Sequence, residues 1–244
     1  MTRLTTCADA EAVAVRAAEE VLRHLRTART ERRPVHVALS GGRTPRRTYE
    51  LLAGSPSEWS DVAVWFADER CVAREDEQSN YRMVAQSLLD PAGIAPERVH
   101  RMLGELGPEE GARRYAAELL AGVPTERTST RGPGPPVLDL IVLGIGEDGH
   151  VASLFPDAPT LSDESGVCLP VRDSPKPPPE RITLSLSVLR AARRCLLLAT
   201  GASKADAVTA MVAEPSPRVP ASLLRRERLT VIVDDAAAPT AGRW

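Results

Sequence analysis

Val137-Leu138-Asp139-Leu140-Ile141-Val142-Leu143, running straight into Gly144-Ile145-Gly146-Glu147-Asp148-Gly149-His150, is the stretch that decides how this chain folds. A nearly continuous apolar run of this length reads as a strand covered on both faces, the environment of a parallel sheet. The glycines that follow end the strand and open a loop. Outward from it the same unit recurs. Val35–Leu39 runs into Ser40-Gly41-Gly42, Val62–Phe66 into Asp68-Glu69-Arg70, and Cys195–Ala199 into Gly201-Ala202-Ser203-Lys204, with Leu229–Val233 as a last strand. A short strand is expected over Val99–Met102.

Helices fill the intervals. Val13, Ala17, Val21 and Leu25 recur at three-to-four spacing within an amphipathic helix from about Ala8 to Thr30. Thr44 reads as the N-cap of a helix with Pro45 in its first turn. Further helices are expected over Ser79–Leu89, Pro108–Ala121, Ser203–Ala213 and Pro220–Arg226. Ile182–Leu186 reads as a strand or a helix entry, with helix to about Ala192. Residues 122–136 and 173–180, rich in proline, read as exposed loops. The alternation specifies an α/β fold: a mostly parallel, Rossmann-like sheet with helices on both faces, three layers α/β/α, in one domain spanning residues 1–244. In such sheets ligands bind at the carboxyl ends of the strands, so those loops carry the informative residues.

The 244 residues are 43% hydrophobic and 26% charged, ordinary for a globular protein, and only 3% aromatic, so the core is built from Ala, Val and Leu. A net charge of −2 leaves no broad basic field for nucleic acid. No apolar run reaches the ~18 residues of a membrane span, and Met1 opens no signal peptide, so a cytoplasmic protein is expected. Cys7, Cys71, Cys168 and Cys195 are too widely spaced for a zinc site or a disulfide framework. No His-rich or HExxH pattern points to a metal, and no G-x-S-x-G elbow to a serine triad.

Four strand-end segments offer chemistry. Gly41, Gly42, Arg43 and Thr44 form either an anion cradle at a helix start or a plain strand-to-helix turn. Asp68 and Arg70 could hold sugar hydroxyls and phosphate, or form a solvated charge run. Residues 144–149 satisfy G-x-G-x-x-G, but Pro156 interrupts the helix that a dinucleotide site requires, and Asp173, at the distance of its acidic residue, lies in a proline-rich loop. The segment instead presents His150 as a proton acceptor, with Asp148 two residues earlier to orient it or meet substrate; the alternative is a surface histidine. Lys204, in the first turn of a helix, opposes the helix dipole, a conflict that an anionic ligand would relieve; otherwise it is a snorkelling surface lysine.

Taken together, SGGRTPRRTYELLA, FADERCVAREDEQSNYRMVAQSLL, LDLIVLGIGEDGHVASLFPD, RITLSLSVLRAA and LLLATGASKADAV resemble the 6-phosphogluconolactonase family, in family-like order and spacing from about Ala8 to Asp234. DGHVASLFP is the most specific part; the related glucosamine-6-phosphate deaminases follow DGH with a different, Asn-Glu-Pro-containing stretch. The resemblance implies hydrolysis of 6-phospho-D-glucono-1,5-lactone, a small-molecule phosphorylated sugar lactone, with no metal or redox cofactor. It implies that Gly41, Gly42, Thr44, Arg70 and Lys204 hold the phosphate and that His150 activates water, with Asp68 and Asp148 nearby. Arg43 stands where the family motif frequently has serine, and adds charge if it faces the site. A monomer or weak homo-oligomer is expected. The rival readings are a hexosamine-phosphate deaminase or isomerase and a catalytically silent sugar-phosphate sensor.

Overall fold

Strand β7, Leu140–Gly144, lies inside a six-stranded parallel sheet in the computed structural model, which describes residues 2–31, 34–127, 133–163 and 165–239; the order runs from β1 (Arg3–Cys7) through β11 (Leu229–Asp234), β10 (Cys195–Ala199), β7 and β2 (Val35–Leu39) to β3 (Val62–Phe66). Its neighbours are β10 and β2; β3 and β11 lie beyond. Every residue of β2, β3, β10 and β11 is buried, which requires cover on both faces and accounts for their lack of polar alternation. Asp139 is tolerated just before β7 because its Oδ2 accepts the His36 N–H at 2.9 Å.

Helix α1, Ala10–Glu31, buries Val13, Ala17, Val21, Leu25 and Ala28 along one stripe against the sheet. Asp9 caps it, accepting the Ala12 N–H at 2.8 Å. Helix α2, Arg43–Leu52, begins two residues earlier than the capping pattern predicts: Gly42, at φ 114°, is the N-cap, and no side chain caps the helix. Thr44 is therefore in the first turn, its hydroxyl 3.1 Å from that of Thr200. Pro45, still in the first turn, gives up an N–H that has no helical acceptor.

Ser79 caps α3 (Asn80–Val84), accepting the Arg82 N–H at 3.1 Å, and a π-helical turn, Ala85–Leu89, continues it. Helices α4 (Pro108–Gly122), α5 (Leu186–Ala191) and α6 (Ala205–Val212) follow; α6 starts at Ala205 rather than Ser203, after a 3-10 turn over Ala202–Lys204. Pro220–Leu223 is also a 3-10 turn, one turn short of the expected helix end.

Three parts depart from the sequence pattern. β1, Arg3–Cys7, adds an edge strand parallel to β11; its half-exposed RLTTC carries too little apolar signal to announce itself. A second, antiparallel sheet of order β4-β9-β8 combines β4 (Asp68–Arg70), β9 (Arg181–Leu184) and β8 (Cys168–Val171), so Asp68 and Arg70 sit on a strand rather than in a loop. Within 122–136, read as loop, β5 (Thr125–Arg127) pairs with β6 (Pro133–Pro136); a proline-rich strand survives there because only one edge is paired. Residues 128–132 of that segment lie outside the described residues. Val99–Met102 forms no strand, only a bridge between Val99 and Val64.

One cluster of buried apolar residues runs from α1 through the parallel sheet to Ile182 and Leu184 of the small sheet. Among the described residues no helix is long and apolar enough to cross a membrane.

Candidate active site

The strand order places the end of β7 between the ends of β10 and β2. The loops after these strands, with β4 and the 173–180 loop, enclose a cleft of about 800 Å³. Gly41, Gly42, Arg43, Thr44, Asp68, Arg70, His150 and Lys204 all line it. Asp148 is absent from the wall and reaches the cleft through His150. Arg43 is near enough for its charge to bear on Lys204.

One pole surrounds the start of α2. Because α2 has no side-chain cap, the first-turn N–H groups of Arg43 and Thr44 remain available to a ligand. The Thr44–Thr200 hydroxyl contact closes the β2 and β10 loops over the end of β7. Lys204 is only 19% exposed and has a loose partner, Glu147 Oε1 at 3.9 Å. Burial lowers its affinity for a proton; Glu147 opposes this and Lys176 adds to it. An arriving dianion would resolve that conflict. Arg70 Nη1 donates to the Gln78 carbonyl at 2.6 Å, while its buried Nε has no hydrogen-bond partner among the described residues. A buried donor left unmatched is costly and marks a place where a ligand acceptor fits.

The other pole is the imidazole. Residues 145–150 make a tight turn, with Gly146 N–H on the His150 carbonyl (2.9 Å) and Gly149 N–H on the Gly146 carbonyl (3.0 Å). No helix follows; a Val151–Leu154 bridge does, so the three glycines lack the geometry of a dinucleotide loop. His150 Nδ1 lies 2.5 Å from Asp148 Oδ1, and its ring packs on Phe155, with centroids 4.7 Å apart. A side chain on Gly146 would land on His150 Nδ1 and Asp148 Oδ1, so the pair requires glycine there. Burial pushes the Asp148 carboxyl up, but hydrogen bonds from His150 and the charges of His150 and Lys176 outweigh it and hold Asp148 below the usual carboxylate range. An ionised carboxylate only accepts, so the shared proton belongs to Nδ1 and the lone pair of neutral His150 to Nε2.

Asp68 is buried between the poles. Its Oδ2 accepts the Ser153 hydroxyl at 2.7 Å and its Oδ1 the Asn80 amide at 3.2 Å. Glu69, adjacent and buried, accepts the N–H groups of Asn80 and Tyr81 (both 2.7 Å) and so seats the start of α3 against β4. Burial pushes the Glu69 carboxyl up to about 7, against these N–H bonds. Arg181, buried on β9, donates to the carbonyls of Lys176 (2.9 Å), Pro177 (3.3 Å) and Pro178 (3.1 Å) and lies over the Phe155 ring. It thereby fastens the proline-rich loop to the site. The sequence pattern did not single out Asn80, Arg181, Lys176 or Thr200 as site residues. The signal was present for Lys176 alone, one of two lysines in an arginine-dominated chain.

A parallel α/β sheet whose carboxyl edge gathers cations and one carboxylate-paired imidazole defines a protein built to hold an anionic small molecule beside a base. Residues 8–233 match the family described as glucosamine-6-phosphate isomerases/6-phosphogluconolactonase, and the chain belongs to that family. A 6-phosphogluconolactonase of Streptomyces coelicolor is 38% identical over 242 residues, which cover 94% of this chain and 91% of its own. The crystal structure of 6-phosphogluconolactonase from Leishmania guyanensis is similar over 100% of both chains, with a TM-score of 0.88 and 28% identity. A monomeric glucosamine-6-phosphate deaminase shares the fold at a TM-score of 0.77 and 21% identity, over 97% of this chain and 98% of its own. The fold by itself therefore does not separate ester hydrolysis from deamination; the residues of the cleft must.

Proposed function

We propose that this chain hydrolyses 6-phospho-D-glucono-1,5-lactone to 6-phospho-D-gluconate, the lactone-opening step of the oxidative pentose phosphate pathway. The observation that carries the reading is the His150–Asp148 pair opening onto the same cleft as Lys204, Arg70 and the uncapped start of α2. Gly41, Gly42, Arg43, Thr44, Arg70 and Lys204 hold the phosphate, and the sugar reaches from there toward His150. Anchoring of this kind supplies several kcal/mol by fixing the ring at one distance from the base.

His150 Nε2 takes a proton from a water that attacks C1, and Asp148 holds the imidazole in the required tautomer and balances its charge once protonated. The carbonyl re-forms as the bond from C1 to the ring oxygen breaks, and the imidazolium returns its proton to that oxygen. Asp68, held by Ser153 and Asn80, lies where a sugar hydroxyl passes between the poles. Residues 1–244 act as one α/β domain, a monomer or weak homo-oligomer in the cytoplasm. The four free thiols suit a reducing compartment, and Val15, Leu106 and Leu120, the large apolar side chains left exposed among the described residues, are separate from one another along the sequence.

The test is hydrolysis of freshly made 6-phosphogluconolactone, corrected for its spontaneous opening. Rapid hydrolysis with no ammonia release from glucosamine 6-phosphate is the expected result. Ammonia release with only background hydrolysis, or tight binding with turnover of neither, would overturn it.

A further inference from the structure

We propose that Lys176 is the cation that meets the developing oxyanion at C1, and hence the residue that makes the site prefer a C1 carboxylate in its product. The proposal rests on the lactone reading above. Attack by water moves the C1 carbonyl electrons onto oxygen, and that oxygen needs a donor. The turn beside His150 has little to offer: the N–H groups of Gly146, Gly149 and His150 are directed to the His150 carbonyl, the Gly146 carbonyl and Asp148. Of the other cations of the cleft, Arg43, Arg70 and Lys204 belong to the phosphate in the reading above, and several are also tied to the protein. Arg181 is held by three backbone carbonyls, Arg70 by Gln78, and Arg47 by Glu11 and Glu50.

Lys176 differs in being fixed at its root and loose at its tip. Its carbonyl accepts from buried Arg181 and from the Ser174 hydroxyl, at 2.9 and 2.8 Å, and its N–H donates to the Ser174 oxygen at 3.2 Å. Its side chain is 41% exposed, and the ammonium lies 3.6 Å from the same Asp148 Oδ1 that holds His150 Nδ1. A half-exposed pair at that distance, on an oxygen already hydrogen-bonded, holds only weakly. It is readily exchanged for an oxyanion formed beside the imidazole. The ammonium thus rests on Asp148 until substrate arrives and then follows the charge from tetrahedral intermediate to carboxylate.

The test compares two ligands that differ only at C1: 6-phosphogluconate, with a carboxylate, and glucitol 6-phosphate, with an alcohol. The parent protein is expected to bind the carboxylate about tenfold more tightly, from one added charge-assisted contact. In Lys176→Met that preference disappears while affinity for glucitol 6-phosphate stays, and kcat for the lactone falls by about 10²-fold with little change in KM; Lys176→Arg restores part of both. A Lys176→Met variant that keeps the carboxylate preference, or that loses affinity for both ligands alike, would overturn the assignment. Failure of the parent to hydrolyse the lactone would instead remove the reading beneath it.

Discussion

In the proposed mechanism His150 is the residue on which the chemistry turns, and its environment limits what it can do. Asp148 is held ionised, so its Oδ1 accepts from Nδ1 across 2.5 Å and Nε2 is left to face the cleft's ligand. His150→Ala is expected to keep the affinity for 6-phosphogluconate and lose about 10²–10⁴-fold in kcat; near-parental hydrolysis would remove His150 from the mechanism. Lys204 lies at the other pole of the proposed site. Lys204→Ala should weaken binding of 6-phosphogluconate by about tenfold or more and leave the weak binding of gluconate unchanged; a titration with both ligands separates the outcomes. These two residues were legible in the sequence because each follows a strand that announces itself by unbroken apolarity. Asn80, Arg181 and Thr200 were not. Asn80 and Arg181 reach the cleft through α3 and a three-stranded sheet whose strands are only three or four residues long, too short for a periodic signal, and Thr200 matters only because a hydroxyl 156 positions away in sequence lies beside it.

At the scale of elements, the site is a property of how strands end. The turn after β7 curls until Gly146 touches the histidine it presents, so the loop's shape and the pair's geometry are one constraint. Gly146→Ala is expected to leave the thermal midpoint within a few degrees of the parent, since the turn lies at the cleft rather than in the core, while hydrolysis falls by about 10²-fold or more through displacement of the imidazole. Loss of folding instead of activity would show that the glycine serves the turn alone. The helix starts were read less well than the strands. Thr44 looked like a cap because Thr-Pro is a common helix opening; the chain instead leaves α2 uncapped and turns Thr44 toward Thr200. A local rule is broken where a ligand can take the cap's place. Proline caused the opposite error in residues 122–136, where its frequency hid the pairing of β5 with β6.

The whole molecule carries its own pH dependence, apart from the cleft. His24 of α1 is 9% exposed, and burial, with Arg23 beside it, lowers its pKa from 6.5 to about 4. The unfolded chain therefore binds a proton between these values that the folded chain refuses. Stability contributed by neutral His24 is complete above about pH 6.5 and is lost as the pH falls through about 4, on the order of 3 kcal/mol in total. His24→Gln should flatten the slope of unfolding free energy against pH in that window, measured by urea denaturation; an unchanged slope would assign the acid limb to other groups. The alternation of strands and helices made the layered architecture legible, because burial on both faces is written into composition. The partner of the first strand was not legible, because pairing across more than 220 residues leaves no local mark. That pairing has a consequence for biogenesis. Among the described residues Arg3–Cys7 joins one strand, Leu229–Asp234, which is synthesised more than 220 residues after it. That strand therefore waits as an unpaired edge while the whole intervening chain is made, and this side of the sheet is sealed only once Leu229–Asp234 has emerged.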